Sequence, residues 1–343
     1  MAPMRWHQVL PRLGRLLLDY RRRRETPRAL PLRLWIESSS RCNLRCGMCP
    51  NPRLPDRQKT IMDFELFRKI VDEARLFAND VYLHHRGEPL LNPALCDMIA
   101  YARAAGLKTR LHTNGTLLDA FLAEKLLKVQ PDLISFSVDG FHKQDYETIR
   151  QGAHFETTVN NIIRFIGMRR QMGLSRPYVV VEKIRFRCPP RPENEAAVNA
   201  LWRRFFDAGV DELLERDEFA WPAADAPIPA APRTSSACTF PWYAMTVCAD
   251  GTVTPCPQDF QAALPLGRVP DASLRDIWRS APYAELRRRL ATDIESLPLC
   301  RVCDRLCRPS FGGVPYSDLP GFLGDQLVGY NVLRRFFGTG QRH

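Results

Sequence analysis

The chain has 343 residues, of which 45% are hydrophobic and 25% are charged. This composition is typical of a globular protein and excludes a disordered or fibrous chain. No apolar run approaches the length that crosses a bilayer. The 11 cysteines are an odd number, which disfavours a disulfide framework and indicates a reducing compartment, so we predict a cytoplasmic location.

Much of the net charge of +11 lies in a basic N-terminal segment, residues 1–32, where eight arginines outnumber two acidic residues. The apolar side chains at helical spacing in this segment are Leu13, Leu16, Leu17 and Tyr20. Such a helix either makes peripheral contact with an anionic membrane surface or packs its apolar side on the body of the protein. We favour packing on the body. No pattern of basic and aromatic residues continues beyond it to indicate nucleic acid as a partner.

From residue 33 onward, strand and helix patterns alternate. The predicted strands are 33–40, 81–85, 108–113, 133–138, 178–186 and 211–215. The predicted helices are 64–74, which follows a capping box at Thr60 and Asp63, then 93–105, 119–129, 155–172 and 193–208. Strict alternation indicates a parallel sheet. We therefore predict an α/β fold, a partial (β/α)6 barrel over residues 33–220.

Three cysteines with the spacing CxxxCxxC follow the first predicted strand, namely Cys42, Cys46 and Cys49. Three thiolates are one short of the four that saturate a cubane iron–sulfur cluster, so one iron would stay open to another ligand. A structural zinc site needs four ligands, and the nearest histidine, His84, is distant in sequence. The spacing therefore favours a [4Fe–4S] cluster over zinc.

Polar segments also follow the next strands. These residues are Gly87 and Glu88 after strand two, Asn114 after strand three and Ser137 at the end of strand four. The carboxyl ends of parallel strands in a barrel meet at one rim, which is where barrel enzymes place their chemistry. Asn114-Gly115 could instead be a simple turn and Arg150, further on, a surface charge. Because these residues are all expected at one rim, we favour a functional site over a turn and a surface charge.

Together these motifs resemble the radical SAM superfamily over about residues 33–217. The resemblance implies that S-adenosylmethionine binds the open iron. It also implies that Gly87 and Glu88 hold the amino group of the methionyl part, and that Ser137 and Arg150, with Asn114 nearby, hold the ribose or carboxylate. Two positions depart from the family pattern, Met48 in place of an aromatic residue and Arg86 in place of a glycine. We expect Arg86 to meet an anionic group on the substrate.

A second group of cysteines follows a Pro/Ala-rich linker, residues 221–235. Residues 236–312 are predicted to form a small cysteine-rich α+β module that resembles the SPASM or twitch extension of radical SAM enzymes. The resemblance implies one auxiliary [4Fe–4S] cluster on Cys238, Cys256, Cys300 and Cys303. Cys307 could replace Cys303, and a zinc knot is the alternative. We expect Cys248, Cys96 and Cys188 to be ordinary thiols.

The C-terminal tail, residues 313–343, has an apolar period that predicts a helix docked on the body. Its members are Leu323, Leu327, Tyr330, Leu333 and Phe337.

The resemblance implies that a 5′-deoxyadenosyl radical removes hydrogen from the substrate. We expect a small polar substrate, sugar-like or cyclitol-like, that is oxidised with the auxiliary cluster as electron acceptor. The expected reductant is a flavodoxin or ferredoxin. The alternatives are a peptide or lipid-linked substrate and, in another class, a non-catalytic electron carrier. Glu182 and Lys183 are weak catalytic candidates, and only one of them can face the barrel interior because side chains alternate along a strand.

Overall fold

The computed structural model describes residues 6–189, 195–219, 221, 222, 229, 238–311, 314, 315 and 319–327. The elements as far as the sixth strand are α1 (Trp6–Arg21), β1 (Arg33–Ile36), α2 (Phe64–Ala74), β2 (Asp80–Tyr82), α3 (Leu95–Ala104), β3 (Lys108–Thr113), α4 (Ala120–Val129), β4 (Leu133–Ser137), α5 (Lys143–Ile149), α6 (Phe155–Gln171), β5 (Tyr178–Arg185), α7 (Glu195–Ala208) and β6 (Glu212–Asp217). The later elements are α8 (Phe240–Tyr243), β7 (Ala244–Val247), β8 (Thr252–Thr254), β9 (Gly267–Arg268), α9 (Leu274–Arg279), α10 (Ala281–Thr292), α11 (Pro298–Arg301), β10 (Ser310–Phe311), β11 (Val314–Pro315) and α12 (Leu319–Leu327).

The strands β1 to β6 pair in parallel and in chain order, with helices in every connection. This arrangement confirms the predicted α/β fold. One face of the sheet is aliphatic and packs on the helices, with Leu34, Val81, Leu111 and Ile134 fully buried in the main core. The opposite face, which we call the inner face, carries larger polar and aromatic side chains.

One helix cap was predicted at the wrong residue, and one helix was not predicted at all. The cap of α2 is Asp63, whose carboxylate accepts from the backbone N–H groups of Glu65 and Leu66, and not Thr60. The carbonyl of Thr60 instead accepts from the N–H of Ser40, because this stretch lies against the chain leaving β1. Helix α5 was missed because Tyr146 is its only buried residue, so it has no apolar period to read.

The second cysteine module extends the same sheet. Strand β7 pairs in parallel with β1, aligning Ala244 with Arg33, and β8 and β9 follow in antiparallel order at that edge. The barrel and the module therefore share one nine-stranded sheet. The predicted linker lies almost entirely outside the described residues, and the predicted domain boundaries remain predictions.

Helix α12 closes the inner face at the amino ends of the strands. Asp325 accepts from Arg110 at 3.0 Å through its carboxylate and from Lys108 at 2.7 Å through its carbonyl. The side chain of Gln326 donates to Asp80 at 2.6 Å. The tail therefore docks on the body through polar contacts, whereas Leu323 of the predicted apolar period is exposed. Tyr330, Leu333 and Phe337 lie outside the described residues.

Helix α1 also docks on the body. Val9, Leu16 and Tyr20 are buried, and the Tyr20 ring meets Trp242 edge to face at 5.5 Å. This contact agrees with the favoured interpretation of the basic N-terminal segment.

A buried ion pair joins the carboxyl ends of β1, β2 and β7. Glu37, fully buried after β1, accepts from the Arg86 guanidinium at 2.7 and 2.6 Å and from the Ala249 backbone N–H at 2.8 Å. Arg86 is therefore turned into the protein, where Glu37 neutralises it. The expectation that it meets an anionic group on the substrate was wrong, because its charge is already paired.

Loss of this pair should destabilise the protein. We expect Arg86→Leu to lower the free energy of unfolding by about 3–5 kcal/mol, because it leaves the Glu37 carboxylate buried without its partner. The measurement is anaerobic urea unfolding followed by circular dichroism. The control is Arg288→Leu, which removes a half-exposed pair with Glu285 and should change stability far less, because solvent screens that pair. Equal losses in the two variants would contradict the prediction.

Candidate active site

The three cysteines of the CxxxCxxC motif lie in a loop that leaves β1 and rests on the end of α5 and the residues that follow it. The backbone N–H of Arg45 donates to Gln151 at 2.9 Å, and that of Gly47 donates to Ile149 at 3.1 Å. The Asn51 side-chain amide donates to the carbonyls of Ser40 and Arg86, both at 2.8 Å. These bonds fix the loop from both sides, so the missed helix α5 is part of what positions it.

The loop thiols are suited to a metal and not to free thiolate chemistry. Burial raises the pKa of Cys42 to about 12, and the nearby Glu88 carboxylate adds to the effect. Burial also raises the pKa of Cys46, although the charge of Arg150 opposes it there. Thiolates in such a site need a cation to replace the proton, which iron supplies. The donor set therefore fits a cluster.

Gly87 is required by a close backbone approach. A Cβ at this position would lie 2.4 Å from the carbonyl oxygen of Arg41 and 2.5 Å from that of Ser39, both in the chain leading to the cysteines. The next residue, Glu88, donates its backbone N–H to the same Arg41 carbonyl at 2.8 Å. The Gly-Glu segment thus packs directly on the cluster loop.

The Glu88 carboxylate is buried and largely engaged. One oxygen accepts from the Thr113 hydroxyl at 2.6 Å and from the Leu90 N–H at 3.0 Å, and the other accepts from the Asn114 N–H at 2.8 Å. Burial raises its pKa, while these hydrogen bonds act in the opposite direction. A carboxylate accepts about four hydrogen bonds, so about one acceptor position is left for a ligand.

The other candidates on the rim differ in how they are held. The Asn114 amide donates to Asn43 in the cluster loop at 3.0 Å. Ser137 ends β4 and is half-buried. Arg150 is buried and pairs with Asp139, so the interpretation of it as a surface charge was wrong. Its Nε is buried without a hydrogen-bond partner, a donor that a ligand carboxylate would satisfy.

The structure separates the two catalytic candidates onto opposite faces of β5. Lys183 lies on the helix side, 4.4 Å from the Phe141 ring, and pairs with Glu215. Glu182 lies on the inner face, 3.6 Å from His112 Nδ1 and 3.4 Å from Arg216. Burial raises the pKa of Glu182, but the charges of Arg216 and His112 outweigh it and bring the pKa to about 2.

Two histidines on the inner face were not singled out from the sequence. His112 lies on β3 and His84 lies just beyond the end of β2, and their rings stack at a centroid distance of 4.2 Å. Burial, followed by the neighbouring His112, holds the pKa of His84 well below its usual range, so its imidazole is neutral. The only signal in the sequence was their period-two spacing with inner-face residues such as Tyr82 and Arg110.

The cysteines proposed for the auxiliary cluster come together around one cavity. Cys238, Cys256, Cys300 and Cys303 all line it. Cys307 is not among its lining residues, and Cys248 is buried in the strand region next to Glu37 and Arg86. Burial raises the pKa of Cys300 and Cys303, and the proximity of Cys238 raises both further, as one shared site requires.

A chain of rings in tilted and edge-to-face contact links the inner face to this cavity. His84 meets Tyr82 at 5.6 Å, Tyr82 meets Trp35 at 4.6 Å and Trp35 meets Phe240 at 5.5 Å between ring centroids. Cys238 and Cys256 pack against this aromatic group.

Comparison with known families agrees with this geometry. The model of the radical SAM superfamily matches residues 36–178. The chain therefore contains a radical SAM domain over these residues. The model of SPASM, an iron–sulfur cluster-binding domain, matches residues 238–304, which favours iron over the zinc alternative for the second cysteine group. The two domains imply a [4Fe–4S] cluster that binds S-adenosylmethionine, together with auxiliary iron–sulfur binding.

Several characterised proteins are similar to parts of the chain. A cofactor-modifying protein for tungsten-containing aldehyde ferredoxin oxidoreductase from Pyrococcus furiosus is 31% identical over 53% of this chain and 50% of its own length. A PqqA peptide cyclase from Granulibacter bethesdensis is 26% identical over 80% of both chains. The chain spans half or less of the length of the first three curated relatives that it matches.

Two solved structures share the fold. SuiB of Streptococcus suis, bound to precursor peptide SuiA, superposes with a TM-score of 0.61 and 14% identity over 89% of this chain and 79% of that one. BtrN, in complex with AdoMet and 2-DOIA, superposes with a TM-score of 0.51 and 18% identity over 80% and 93%. Among the described helices, none is long and apolar enough to cross a membrane.

The close approach at Gly87 makes a prediction about iron content. We expect Gly87→Ala to lose the cluster at the CxxxCxxC loop, because the added methyl group must push the loop backbone away. Iron after anaerobic reconstitution should fall by about four per chain, the content of one cubane. Gly47→Ala is the matched control, since a Cβ there meets nothing within 4 Å. Full iron content in both variants would refute the prediction.

Proposed function

We propose that the protein is a radical SAM oxidoreductase that oxidises a small polar substrate held on the inner face of the barrel. In this proposal Cys42, Cys46 and Cys49 hold the cluster that binds S-adenosylmethionine. One auxiliary cluster is held by Cys238, Cys256, Cys300 and Cys303. When bound, these groups supply a 5′-deoxyadenosyl radical and an acceptor for one electron.

The cosubstrate would lie between the cluster loop and the rim. Glu88 has about one acceptor position left for its ammonium group, and the unpartnered Nε of Arg150 would meet its carboxylate. Ser137, half-buried at the end of β4, is proposed for the ribose, with Asn114 fixing the adjacent loop.

The proposal of an oxidation depends on the chain of rings between the inner face and the auxiliary cysteines. Its spacing from His84 through Tyr82 and Trp35 to Phe240 is 4.6 to 5.6 Å between centroids. Electron transfer in proteins falls steeply with distance, so contacts of this kind favour a route from a substrate radical to the auxiliary cluster. An auxiliary cluster with four thiolates has no open position for substrate, which suits this role.

We propose His112 as the proton acceptor and Glu182 as the residue that positions it. Glu182 stays ionised and lies beside His112 Nδ1, an arrangement that leaves Nε2 as the basic nitrogen. The step balances for an alcohol: the carbon gives its hydrogen atom to the radical, and the hydroxyl proton passes to His112. An auxiliary cluster held by Cys238, Cys256, Cys300 and Cys303 would accept the remaining electron, which would leave a carbonyl.

The first test is cleavage of S-adenosylmethionine. The reconstituted protein, with dithionite under anaerobic conditions, should form 5′-deoxyadenosine. Cys46→Ala should abolish it, whereas Cys188→Ala, which removes an exposed thiol, should not. No 5′-deoxyadenosine from the iron-loaded wild-type protein would favour the electron-carrier alternative and overturn the proposal.

The second test separates hydrogen abstraction from proton transfer. The assay uses a polyol that raises 5′-deoxyadenosine formation above the substrate-free rate. With this polyol, His112→Gln should slow formation of the oxidised product by about 100-fold or more. Formation of 5′-deoxyadenosine should persist. The pKa of Glu182 is about 2, so this carboxylate is ionised throughout the assay range. Glu182→Gln should therefore slow product formation as His112→Gln does, and Glu215→Gln on the opposite face should not.

A peptide substrate is the second candidate, because the PqqA peptide cyclase aligns along 80% of this chain. Stimulation of 5′-deoxyadenosine formation by peptides, with no response to any polyol, would select it. If the substrate is lipid-linked, neither peptides nor polyols in solution should raise 5′-deoxyadenosine formation.

A further inference from the structure

The exposed face of helix α1 combines apolar and basic side chains in a way that docking on the protein does not explain. Val9, Leu16 and Tyr20 already bury one face of the helix against the body. Leu10, Leu17 and Leu18 nevertheless remain 46%, 43% and 45% exposed. Positions i, i+7 and i+8 share one side of a helix, so these leucines form a second apolar stripe.

This stripe differs from the other exposed apolar residues of the described chain. Leu76 in the turn after α2, Phe121 on α4 and Phe206 on α7 are each exposed singly, which is ordinary for a protein surface. The stripe concentrates three leucines within nine residues of one helix. A clustered apolar surface of this kind indicates an interaction partner.

Basic residues border the stripe. Arg15, Arg21 and Arg22 are exposed, and no ion pair is found for them within the described residues. The neighbouring Arg24 differs, because it pairs with Asp19. The partner therefore has to offer both an apolar layer and negative charge.

Two possible partners come from the protein itself, namely its C-terminal residues and a second copy of the chain. Neither meets that requirement. Residues 328–343 contain three arginines and no acidic residue, so their charge has the same sign as the helix. A second copy would bring the same arginines against each other. An anionic lipid surface offers negative head groups above an acyl layer, which complements both features.

We propose that α1 is a membrane-surface helix that binds anionic lipid bilayers through Leu10, Leu17 and Leu18, flanked by Arg15, Arg21 and Arg22. The buried face of the helix attaches it to the barrel. The same helix thereby holds the whole protein at the membrane surface. This inference stands independently of the proposed function.

The test is sedimentation of the reconstituted full chain with vesicles of phosphatidylcholine alone or mixed with phosphatidylglycerol. We expect pelleting with the mixed vesicles only, and weaker binding as salt screens the arginines. Reversal of two charges in Arg21→Glu/Arg22→Glu should weaken binding by about tenfold or more. Leu17→Gln/Leu18→Gln should also weaken it, because the apolar contact is lost.

The matched controls are Arg170→Glu/Arg203→Glu, which reverses two exposed charges on α6 and α7, and Leu76→Gln. Both should bind as the wild type does, and circular dichroism and iron content confirm that every variant is folded. Absence of wild-type binding to the mixed vesicles would overturn the proposal, as would equal losses in the controls. A wild-type dimer that Leu17→Gln/Leu18→Gln converts to monomer would assign the stripe to self-association instead.

Discussion

The buried carboxylate of Glu37 is the interaction on which the arrangement of the site depends. It binds the Arg86 guanidinium and the Ala249 backbone, and so ties together the ends of β1, β2 and β7. The cysteine loop starts just after Glu37 and the Gly-Glu segment just after Arg86. An ion pair that is removed from water this completely is costly unless its geometry is good, and here the bidentate contact supplies that geometry.

The same pairing of strands holds the second cysteine module beside the first. Because β7 pairs directly with β1, the auxiliary cysteines are held by the sheet that also holds the cluster loop. The rings of Tyr82, Trp35 and Phe240 then fill the space between the inner face and the auxiliary cavity. Helices α1 and α12 both dock on this sheet domain. Helix α12 closes the inner face, and α1 presents a basic helix at the surface.

Much of this organisation could be predicted from local patterns. The alternation of strand and helix, the CxxxCxxC motif and the polar segments after each strand all follow from neighbours in sequence, and parallel strands bring their carboxyl ends to one edge. Helix α5 could not be predicted in this way, because a helix with one buried residue carries no periodic signal. The cap at Asp63 was misplaced by three residues because Thr60 pairs across the loop.

The sequence by itself determined the fold class, the two groups of cysteines and the order of the rim segments, because each depends on spacing along the chain. Only the tertiary structure decided what each charged side chain faces. It turned Arg86 inward to Glu37, buried Arg150 against Asp139 and placed Glu182 beside His112 while sending Lys183 to the other face. These partners lie 11 to 70 residues apart in sequence, so their pairing depends on how the sheet brings distant strands together.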